Sequence, residues 1–202
     1  MADTGWVTGT VASLHGSGGD RCDGYTGWTN PTNADTQNDT YATCGPGKFK
    51  FTDCLSSVNF SFGIPAGATI DGIEVRYDGF ATMLLEAVVA LLLNGAYAAG
   101  DNKGLDAQVP TSDTDTYRVF GGATDMWNSG FDYDDVTDST FGFVVSYSTG
   151  DPGYTMSVDH LQMKIYYTES TGYGHIVNEV SPASIAEINE VLTADIAEVN
   201  ET

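Results

Sequence analysis

Four short segments of this chain place a large apolar residue at every second position, and this period of two constrains the fold most. The clearest is Leu161–Tyr167 (LQMKIYY), and the pattern recurs in Phe141–Tyr147 (FGFVVSY), in Val58–Ile64 (VNFSFGI) and, within Ile70–Phe80, at Ile73, Val75 and Tyr77. Strand side chains alternate between two faces, so each segment predicts a strand with one buried face. A further strand is predicted near the start, at residues 6–14. Short strands separated by Gly, Pro and Asp turns favour an all-β fold, an antiparallel β-sandwich of the jelly-roll type.

One apolar segment allows two interpretations. Met83–Leu93 is rich in Leu, Met, Ala and Glu, which favour helix. However, Asn94-Gly95 follows directly, and this dipeptide is the strongest two-residue hairpin signal. We therefore predict a strand at residues 87–93, buried on both faces, and a return strand at residues 96–99. A short helix that ends near Gly95 is the alternative.

The composition is that of one turn-rich domain. The chain has 202 residues, of which 24 are Gly and 41% are hydrophobic, so it can bury a real core. A chain of this length can form one β-sandwich domain and an additional segment. We place the sandwich domain at residues 1–168 and a linker with a C-terminal segment at residues 169–202.

The net charge limits the partners of this protein. Lys and Arg number 7 against 28 Asp and Glu, which gives a formal charge of −21 at pH 7. A field of that sign repels phosphate backbones and anionic lipids, so we expect neither nucleic-acid nor membrane binding. Residues 1–5 lack the basic start and apolar run of a signal peptide, so we expect the protein to be made in a cytoplasm.

Cysteines and histidines give no recognisable catalytic or metal site. Cys22, Cys44 and Cys54 are odd in number, which argues against a disulfide framework, although a Cys44–Cys54 pair remains open. Three cysteines without a nearby His make a poor zinc site. No nucleophile elbow accompanies the histidines, and His160 is interpreted as a surface or cross-strand residue. We therefore predict a non-enzymatic protein without a cofactor or a metal. A glycosidase built on paired carboxylates is a distant alternative.

A cluster of acidic residues is the densest concentration of potential metal ligands. It spans residues 132–138 and contains Asp132, Asp134, Asp135 and Asp138. Its spacing is not that of an EF-hand loop, because the Gly and the closing Glu are absent. We interpret the cluster as a solvated turn between strands and keep calcium binding as the alternative.

The C-terminal segment contains a repeat with a period of eleven residues. Val177-Asn-Glu-Val180 recurs as residues 188–191 (INEV) and again as residues 199–201 (VNE). Read as a helix, its apolar residues form one stripe, and Ser184 with Glu187 would form a capping box. An isolated helix of this length is marginal in water, so a helical or extended docking tail needs a surface to cover it. The predicted interface residues are Val177, Val180, Ile185, Ile188, Leu192, Ile196 and Val199.

Aromatic residues in loop-rich sequence are the candidates for ligand contact. Tyr25, Trp28 and Tyr133 are predicted to stack on sugars or to anchor a protein interface. Trp127 is instead predicted to plug one end of the sandwich.

Several motifs together resemble a β-sandwich module of bacteriophage virion proteins and of some bacterial surface proteins. The matching stretches are Trp28–Ala34 (WTNPTNA), Phe60–Val75 (FSFGIPAGATIDGIEV), Gly100–Gly104 (GDNKG), Tyr117–Trp127, Phe141–Phe143, Ser157–Leu161 (SVDHL) and Tyr166–Tyr167. The tail resembles Ile-x-x-Val-Asn repeats near the ends of phage structural proteins. The resemblance covers roughly residues 28–168 and the tail, and it implies no catalytic residues.

The resemblance implies a structural protein on the exterior of a phage particle. We expect a capsid decoration or head-fibre protein that contacts other virion proteins and copies of itself through the tail, and that leaves the host cytoplasm as part of the virion. The alternative is an adhesin or carbohydrate-binding module of a tail fibre or a surface protein, with a glycan as its ligand.

Overall fold

A computed structural model of the chain describes residues 1–14, 26–45, 50–82, 86–95, 97–104, 107–114, 116–149, 153–170, 187–188 and 191–192. A 3₁₀ turn spans Pro31–Ala34 and a short helix, α1, spans Tyr133–Thr137. No described helix is long and apolar enough to cross a membrane. The strands are β1 (Ala2–Asp3), β2 (Val7–Thr8), β3 (Thr10–Leu14), β4 (Ala42–Cys44), β5 (Lys50–Phe51), β6 (Cys54–Val58), β7 (Thr69–Ala81), β8 (Glu86–Asn94), β9 (Tyr97–Ala99), β10 (Ala107–Gln108), β11 (Arg118–Gly121), β12 (Gly142–Thr149), β13 (Met156–Thr168), β14 (Glu187–Ile188) and β15 (Val191–Leu192).

Two antiparallel sheets form a β-sandwich, as the sequence predicts. The first sheet has the order β1-β13-β7-β11, and β2 and β4 pair with β13 beside β1. The second sheet has the order β10-β8-β12-β6-β3, with β5 also on β12 and β9 on β8. Strands β7 and β13 form the long central ladder of the first sheet, which pairs Thr69 with Thr168 at one end and Ala81 with Met156 at the other.

The core lies between the two sheets and is built from alternate residues of the central strands. Ile73, Val75 and Tyr77 of β7 are at most 1% exposed, as their alternation predicts. Tyr147 of β12 reaches them from the second sheet. Its ring meets the Tyr77 ring edge to face, with centroids 5.8 Å apart. The predicted strands within residues 70–80, 141–147 and 161–167 are therefore confirmed as β7, β12 and β13.

The predicted strand at Val58–Ile64 is wrong, although its alternation describes burial correctly. β6 ends at Val58, and residues 59–64 join no ladder. Asn59 and Gly63 have φ values of 59° and 66°, and these left-handed conformations interrupt an extended backbone. Phe60, Phe62 and Ile64 are nevertheless buried in the core. The alternation therefore indicates which side chains face the interior. Whether the backbone pairs with a neighbouring strand depends on the turns within the segment.

The hairpin interpretation of the ambiguous segment is confirmed, and the helical alternative is wrong. β8 pairs with β9 antiparallel, with Asn94 opposite Tyr97. Gly95 has a φ of 63°, the conformation that a tight hairpin loop requires.

In the C-terminal segment, the described residues are extended. Glu187–Ile188 pairs antiparallel with Val191–Leu192, so the helical interpretation, including the capping box that uses Glu187, is wrong for these four residues. Residues paired in an antiparallel ladder bond to the facing strand, whereas residues of a helix bond to positions four residues away. The other predicted interface residues lie outside the described residues: Val177, Val180, Ile185, Ile196 and Val199. The docking role of the segment and the division of the chain after residue 168 stay predictions.

The cysteine pairing considered from the sequence is also wrong. Cys54 takes part in a disulfide bond, whereas Cys44 is a free, buried thiol. Nearness in sequence is a poor guide here, because β4 and β6 lie in different sheets. Burial raises the pKa of the Cys44 thiol to about 12, with a smaller contribution from the charge of Asp53.

Candidate functional site

The outer face of the first sheet carries long polar side chains in cross-strand register. In the middle of the ladder, at residues 73–77 of β7 and 161–165 of β13, the odd-numbered side chains enter the core, so Glu74 and Arg76 of β7 and Gln162 and Lys164 of β13 face outward. The ladder places Gln162 opposite Arg76 and Lys164 opposite Glu74. Facing pairs of this kind lie close enough for direct contact.

Three half-buried aromatic rings surround these side chains. Trp6 precedes β2, which pairs with β13, and Tyr117 precedes β11, which pairs with β7. Tyr166 is two residues beyond Lys164 on β13, on the same face. We call this group of side chains the aromatic–cation platform; its members are Trp6, Arg76, Tyr117, Lys164 and Tyr166.

The Arg76 guanidinium lies between two of the rings. Its central carbon is 4.1 Å from the centre of the Trp6 ring and 3.8 Å from the centre of the Tyr117 ring. Each contact pairs a cation with the negative face of a π-system, an attraction of about 0.5–1 kcal/mol at an exposed site. Burial lowers the pKa of Arg76, and the neighbouring Tyr117, Glu74 and Asp78 oppose that shift.

Lys164 occupies the other end of the platform. Its ammonium lies 4.3 Å from the centre of the Trp6 ring and 3.3 Å from Oε2 of Glu74. The Tyr166 hydroxyl donates to the same Glu74 oxygen at 2.8 Å and accepts from Lys164 at 3.4 Å. Burial alone would lower the pKa of Lys164, but the bonds to Tyr166 and Glu74 raise it above its usual value. The ammonium therefore stays charged and partly neutralised by Glu74.

A chain of hydrogen bonds leads from the platform towards one edge of the sheet. Nε and Nη2 of Arg76 donate to Oε1 of Gln162, the former at 2.9 Å. Nε2 of Gln162 donates to Oγ1 of Thr8 at 3.3 Å, and that hydroxyl lies 2.9 Å from Nε2 of His160. His160 is only 8% exposed, so it is a cross-strand residue and not a surface one.

The same chain continues beyond His160 to a buried carboxylate. Nδ1 of His160 lies 2.8 Å from the Tyr117 hydroxyl, which donates to Oε1 of Gln37 at 2.9 Å. Nε2 of Gln37 then donates to Oδ2 of Asp78 at 3.1 Å. Tyr117 is therefore held by its ring, which stacks on Arg76, and by its hydroxyl.

Two of the tryptophans are structural, and for Trp28 this corrects the sequence prediction. Trp28 is 7% exposed, donates from Nε1 to the Asp53 carbonyl at 2.8 Å and meets the Tyr147 ring edge to face. Its loop folds onto the sandwich, so the ring cannot stack on a ligand. Trp127 is fully buried and donates to the Ile73 carbonyl at 2.8 Å, which confirms it as a core residue. Tyr25 lies outside the described residues.

Tyr133 lies beside a separate cleft at one end of the sandwich. The cleft has a volume of about 500 Å³ and is lined by residues 67–70 and 131–134. Tyr133 is half-buried there and packs against the core. The first turn of α1 thus places one predicted ligand aromatic at a cavity of ordinary ligand-binding size.

The acidic cluster is largely exposed, as predicted, but it forms and caps this short helix where the prediction had a turn. The Asp132 carboxylate caps α1 by accepting from the backbone N–H groups of Asp134 and Asp135. In return, the Asp135 carboxylate accepts from the Asp132 N–H. Asp138 accepts from both the N–H and the hydroxyl of Thr140, which lowers the pKa of Asp138. These carboxylates serve the local backbone. Within the described residues, no group of three or more His, Cys, Asp or Glu could hold a metal ion.

The sequence prediction missed the platform entirely. The polar face of residues 161–167 was the available signal, because it combines Gln162, Lys164 and Tyr166 on a strand whose other face is buried. Trp6 and Tyr117 could not be added to it, since pairing across the sheet brings together residues far apart in the chain.

No family model matches this chain, and the comparison with curated proteins finds no match. Among solved structures, the chain is similar to a variant of the carbohydrate-binding module CBM29-2, with 12% identity and a TM-score of 0.29 over 81% of this chain and 87% of that one. A second CBM29-2 variant, complexed with cellulohexaose, matches with 13% identity and a TM-score of 0.28 over 78% of this chain and 92% of that one. Similarities this distant carry no assignment of function.

Proposed function

We propose that the protein is a carbohydrate-binding module whose ligand lies on the aromatic–cation platform. The observation that carries this proposal is the grouping of Trp6, Tyr117 and Tyr166, all half-buried, around two cations on one sheet face. The C–H groups on the face of a sugar ring are weakly positive and stack on the negative faces of aromatic rings. Binding sites add a few fixed polar groups that orient the ligand. The platform supplies both.

Hydrogen-bond donors for sugar hydroxyls are present on the platform. A guanidinium has five N–H donors, and among the described residues Gln162 takes the bonds of only Nε and one from Nη2 of Arg76. The Arg76 group is held between Trp6 and Tyr117, so its donors point in fixed directions. Preorganisation of this kind reduces the entropy lost on binding.

The charges favour a neutral glycan over an acidic one. The chain carries a formal charge of −21, which repels a polyanionic glycan at long range. On the platform itself, Glu74 partly neutralises Lys164. A neutral oligosaccharide meets neither the long-range repulsion nor the cost of stripping water from a second charge.

The platform supports binding without cleavage. Most glycosidases need two carboxyl groups that flank the scissile bond, one as acid and one as base or nucleophile. The Glu74 carboxylate of this face is already bonded to the Lys164 ammonium and to the Tyr166 hydroxyl. A sugar bound on the platform therefore contacts aromatic rings and hydrogen-bond donors.

Titration calorimetry with hexasaccharides of glucose, xylose and mannose, together with polygalacturonic acid, tests the proposal. We expect at least one neutral hexasaccharide to bind, and Trp6→Ala and Tyr117→Ala to weaken binding by about tenfold or more, the usual cost of losing a central aromatic contact. Phe51→Ala is the matched control, because Phe51 is 43% exposed on the second sheet. No binding of any neutral hexasaccharide, or equal binding by Trp6→Ala, would overturn the proposal.

A second proposal concerns where such a module is displayed. We propose a structural protein on the exterior of a phage particle, attached through residues 169–202, and the eleven-residue repeat in that segment supports it. The paired strands at 187–188 and 191–192 are short, and an isolated two-strand ribbon is unstable in water without a surface to cover it. Deletion of residues 175–202 is expected to abolish self-association in analytical ultracentrifugation while near-ultraviolet circular dichroism stays unchanged. A truncated protein that still associates would contradict this proposal.

A further inference from the structure

The hydrogen-bond chain through the platform has one direction, and its first half follows from Arg76. A guanidinium only donates, so Oε1 of Gln162 must be the atom that faces it, and the amide N–H groups of Gln162 point to Thr8. Oγ1 of Thr8 accepts that bond. Nε2 of His160 lies 2.9 Å from the same oxygen, which still has one proton and a second lone pair. From this side alone, Nε2 of His160 can either accept or donate.

The second half follows independently from Asp78. A carboxylate accepts, so the Gln37 amide N–H group faces Asp78 and Oε1 of Gln37 faces Tyr117. The single hydroxyl proton of Tyr117 goes to that oxygen. The Tyr117 oxygen must then accept from Nδ1 of His160, 2.8 Å away. From this side, Nδ1 of His160 is a donor.

The Tyr117 side therefore places a proton on Nδ1, and in the neutral ring Nε2 is then left to accept from Thr8, so both ends fit this one state of His160. We infer that His160 is a positioning residue for the aromatic–cation platform, which in this state directs the hydroxyls of Thr8 and Tyr117, and that a second proton on Nε2 disrupts the chain and weakens carbohydrate binding. The inference rests on the proposed function for its ligand, but the state of the ring can be measured without one.

A second proton has two consequences at this position. It converts Nε2 into a donor, so the Thr8 hydroxyl must turn its proton away and accept from the ring, while Gln162 keeps the orientation that Arg76 sets. It also places a third cation on the face that already carries Arg76 and Lys164, and the charge of Arg76 already acts on the ring. This repulsion loosens the Arg76 side chain, which separates Trp6 from Tyr117.

The charged groups around His160 come from every element that packs on it. Arg76 and Asp78 belong to β7, Asp159 is its neighbour on β13, and Asp35 pairs with it as an isolated bridge at the sheet edge. The net result is that burial, followed by the charge of Arg76, lowers the pKa of His160 below its usual value of 6.5. The ring is therefore neutral at pH 7, and the second proton binds only in more acidic solution.

The test compares the wild type with His160→Asn and His160→Phe. Asn can place an amide N–H where Nδ1–H lies and does not titrate between pH 4 and 8, whereas Phe keeps a ring but makes neither bond. With the tightest-binding neutral hexasaccharide, we expect wild-type affinity to fall by about tenfold between pH 7 and pH 4, as the ring takes up its second proton and repels Arg76. His160→Asn should bind as the wild type does at pH 7 and lose this pH dependence. His160→Phe should bind weakly throughout.

Two outcomes would overturn the inference about His160 and leave the proposed carbohydrate binding intact. Wild-type binding that does not change with pH, or a His160→Asn variant that keeps the full pH dependence, rules out the role of His160 while carbohydrate binding stands. Nitrogen-15 NMR of the full protein at pH 7 is the ligand-free measurement. A proton on Nε2 instead of Nδ1 contradicts the inference even if no hexasaccharide binds.

Discussion

Trp6 stacks on the Arg76 guanidinium at 4.1 Å, across β13, which lies between β7 and β2, the strand that Trp6 precedes. This contact joins the start of the chain to the centre of the first sheet. It also leaves Trp6 as the partly exposed indole of the protein, because the other two tryptophans, Trp28 and Trp127, are buried.

Fluorescence quenching should assign the accessible indole to Trp6. We expect iodide to quench part of the emission of the wild type and to quench almost none in Trp6→Phe, since Trp28 and Trp127 are 7% and 0% exposed. Stern–Volmer plots of the two proteins measure this difference. A Trp6→Phe variant that remains strongly quenched would show that Trp28 is exposed and that its burial is wrong.

Two adjacent glycines should differ sharply in their tolerance of a methyl group. Gly121 has a φ of 83°, and a β-carbon there would lie 2.2 Å from the Ile73 carbonyl oxygen, whereas a β-carbon on Gly122 meets no atom within 4 Å. We expect Gly121→Ala to lower the free energy of unfolding by about 3 kcal/mol or more, from overpacking and left-handed strain. Gly122→Ala is the control and should change it by less than about 0.5 kcal/mol. Urea denaturation measures both, and similar losses in the two variants would contradict the prediction.

Two adjacent serines of β6 make a second matched pair. The Ser56 hydroxyl donates to the Ala12 carbonyl at 3.1 Å, while the Ser57 hydroxyl is buried and has no hydrogen-bond partner among the described residues. Ser56→Ala is expected to lower the free energy of unfolding by about 1 kcal/mol, because it leaves a carbonyl with one bond fewer. Ser57→Ala should be neutral or stabilising. Urea denaturation in which Ser57→Ala loses as much stability as Ser56→Ala would refute this.

The free thiol should react only when the protein unfolds. Cys44 is free, 3% exposed and has a pKa raised to about 12, so almost none of it is the reactive thiolate at pH 8. We expect Ellman's reagent to detect essentially no thiol in the native protein and one per chain in guanidinium without reductant. The control is Cys44→Ala, which should show none in either state. Three reactive thiols in unreduced, unfolded protein would mean that the Cys54 disulfide does not form.

Stability should fall at mildly acidic pH through His160. Its pKa is lower in the folded state than the 6.5 of the unfolded chain, mainly because of burial. The unfolded state therefore binds more protons as the pH falls through 6.5, and the free energy of unfolding decreases until the folded-state pKa is passed. Above pH 6.5 the full stability is retained. The melting temperature of the wild type should thus drop more than that of His160→Asn between pH 7 and 5, and parallel curves would count against the lowered pKa.

The sequence predicts the strands well where one local rule decides the structure. Alternation in residues 161–167 identifies β13, and Asn94-Gly95 identifies the hairpin of β8 and β9, because both signals act within a few residues. The same rule fails at residues 58–64, where the left-handed conformations of Asn59 and Gly63 prevent pairing but not burial.

By itself, then, the sequence determined that the chain forms an antiparallel β-sandwich with a strongly acidic character, because strand period, turn residues and net charge are local or additive properties. Only the tertiary structure decided that Trp28 is buried and that Trp6, Arg76 and Tyr117 meet. Their contacts depend on which strands become neighbours in the sheet and in what register. The strand order and register are those that minimise the free energy of the whole core, so no single segment of the sequence specifies them.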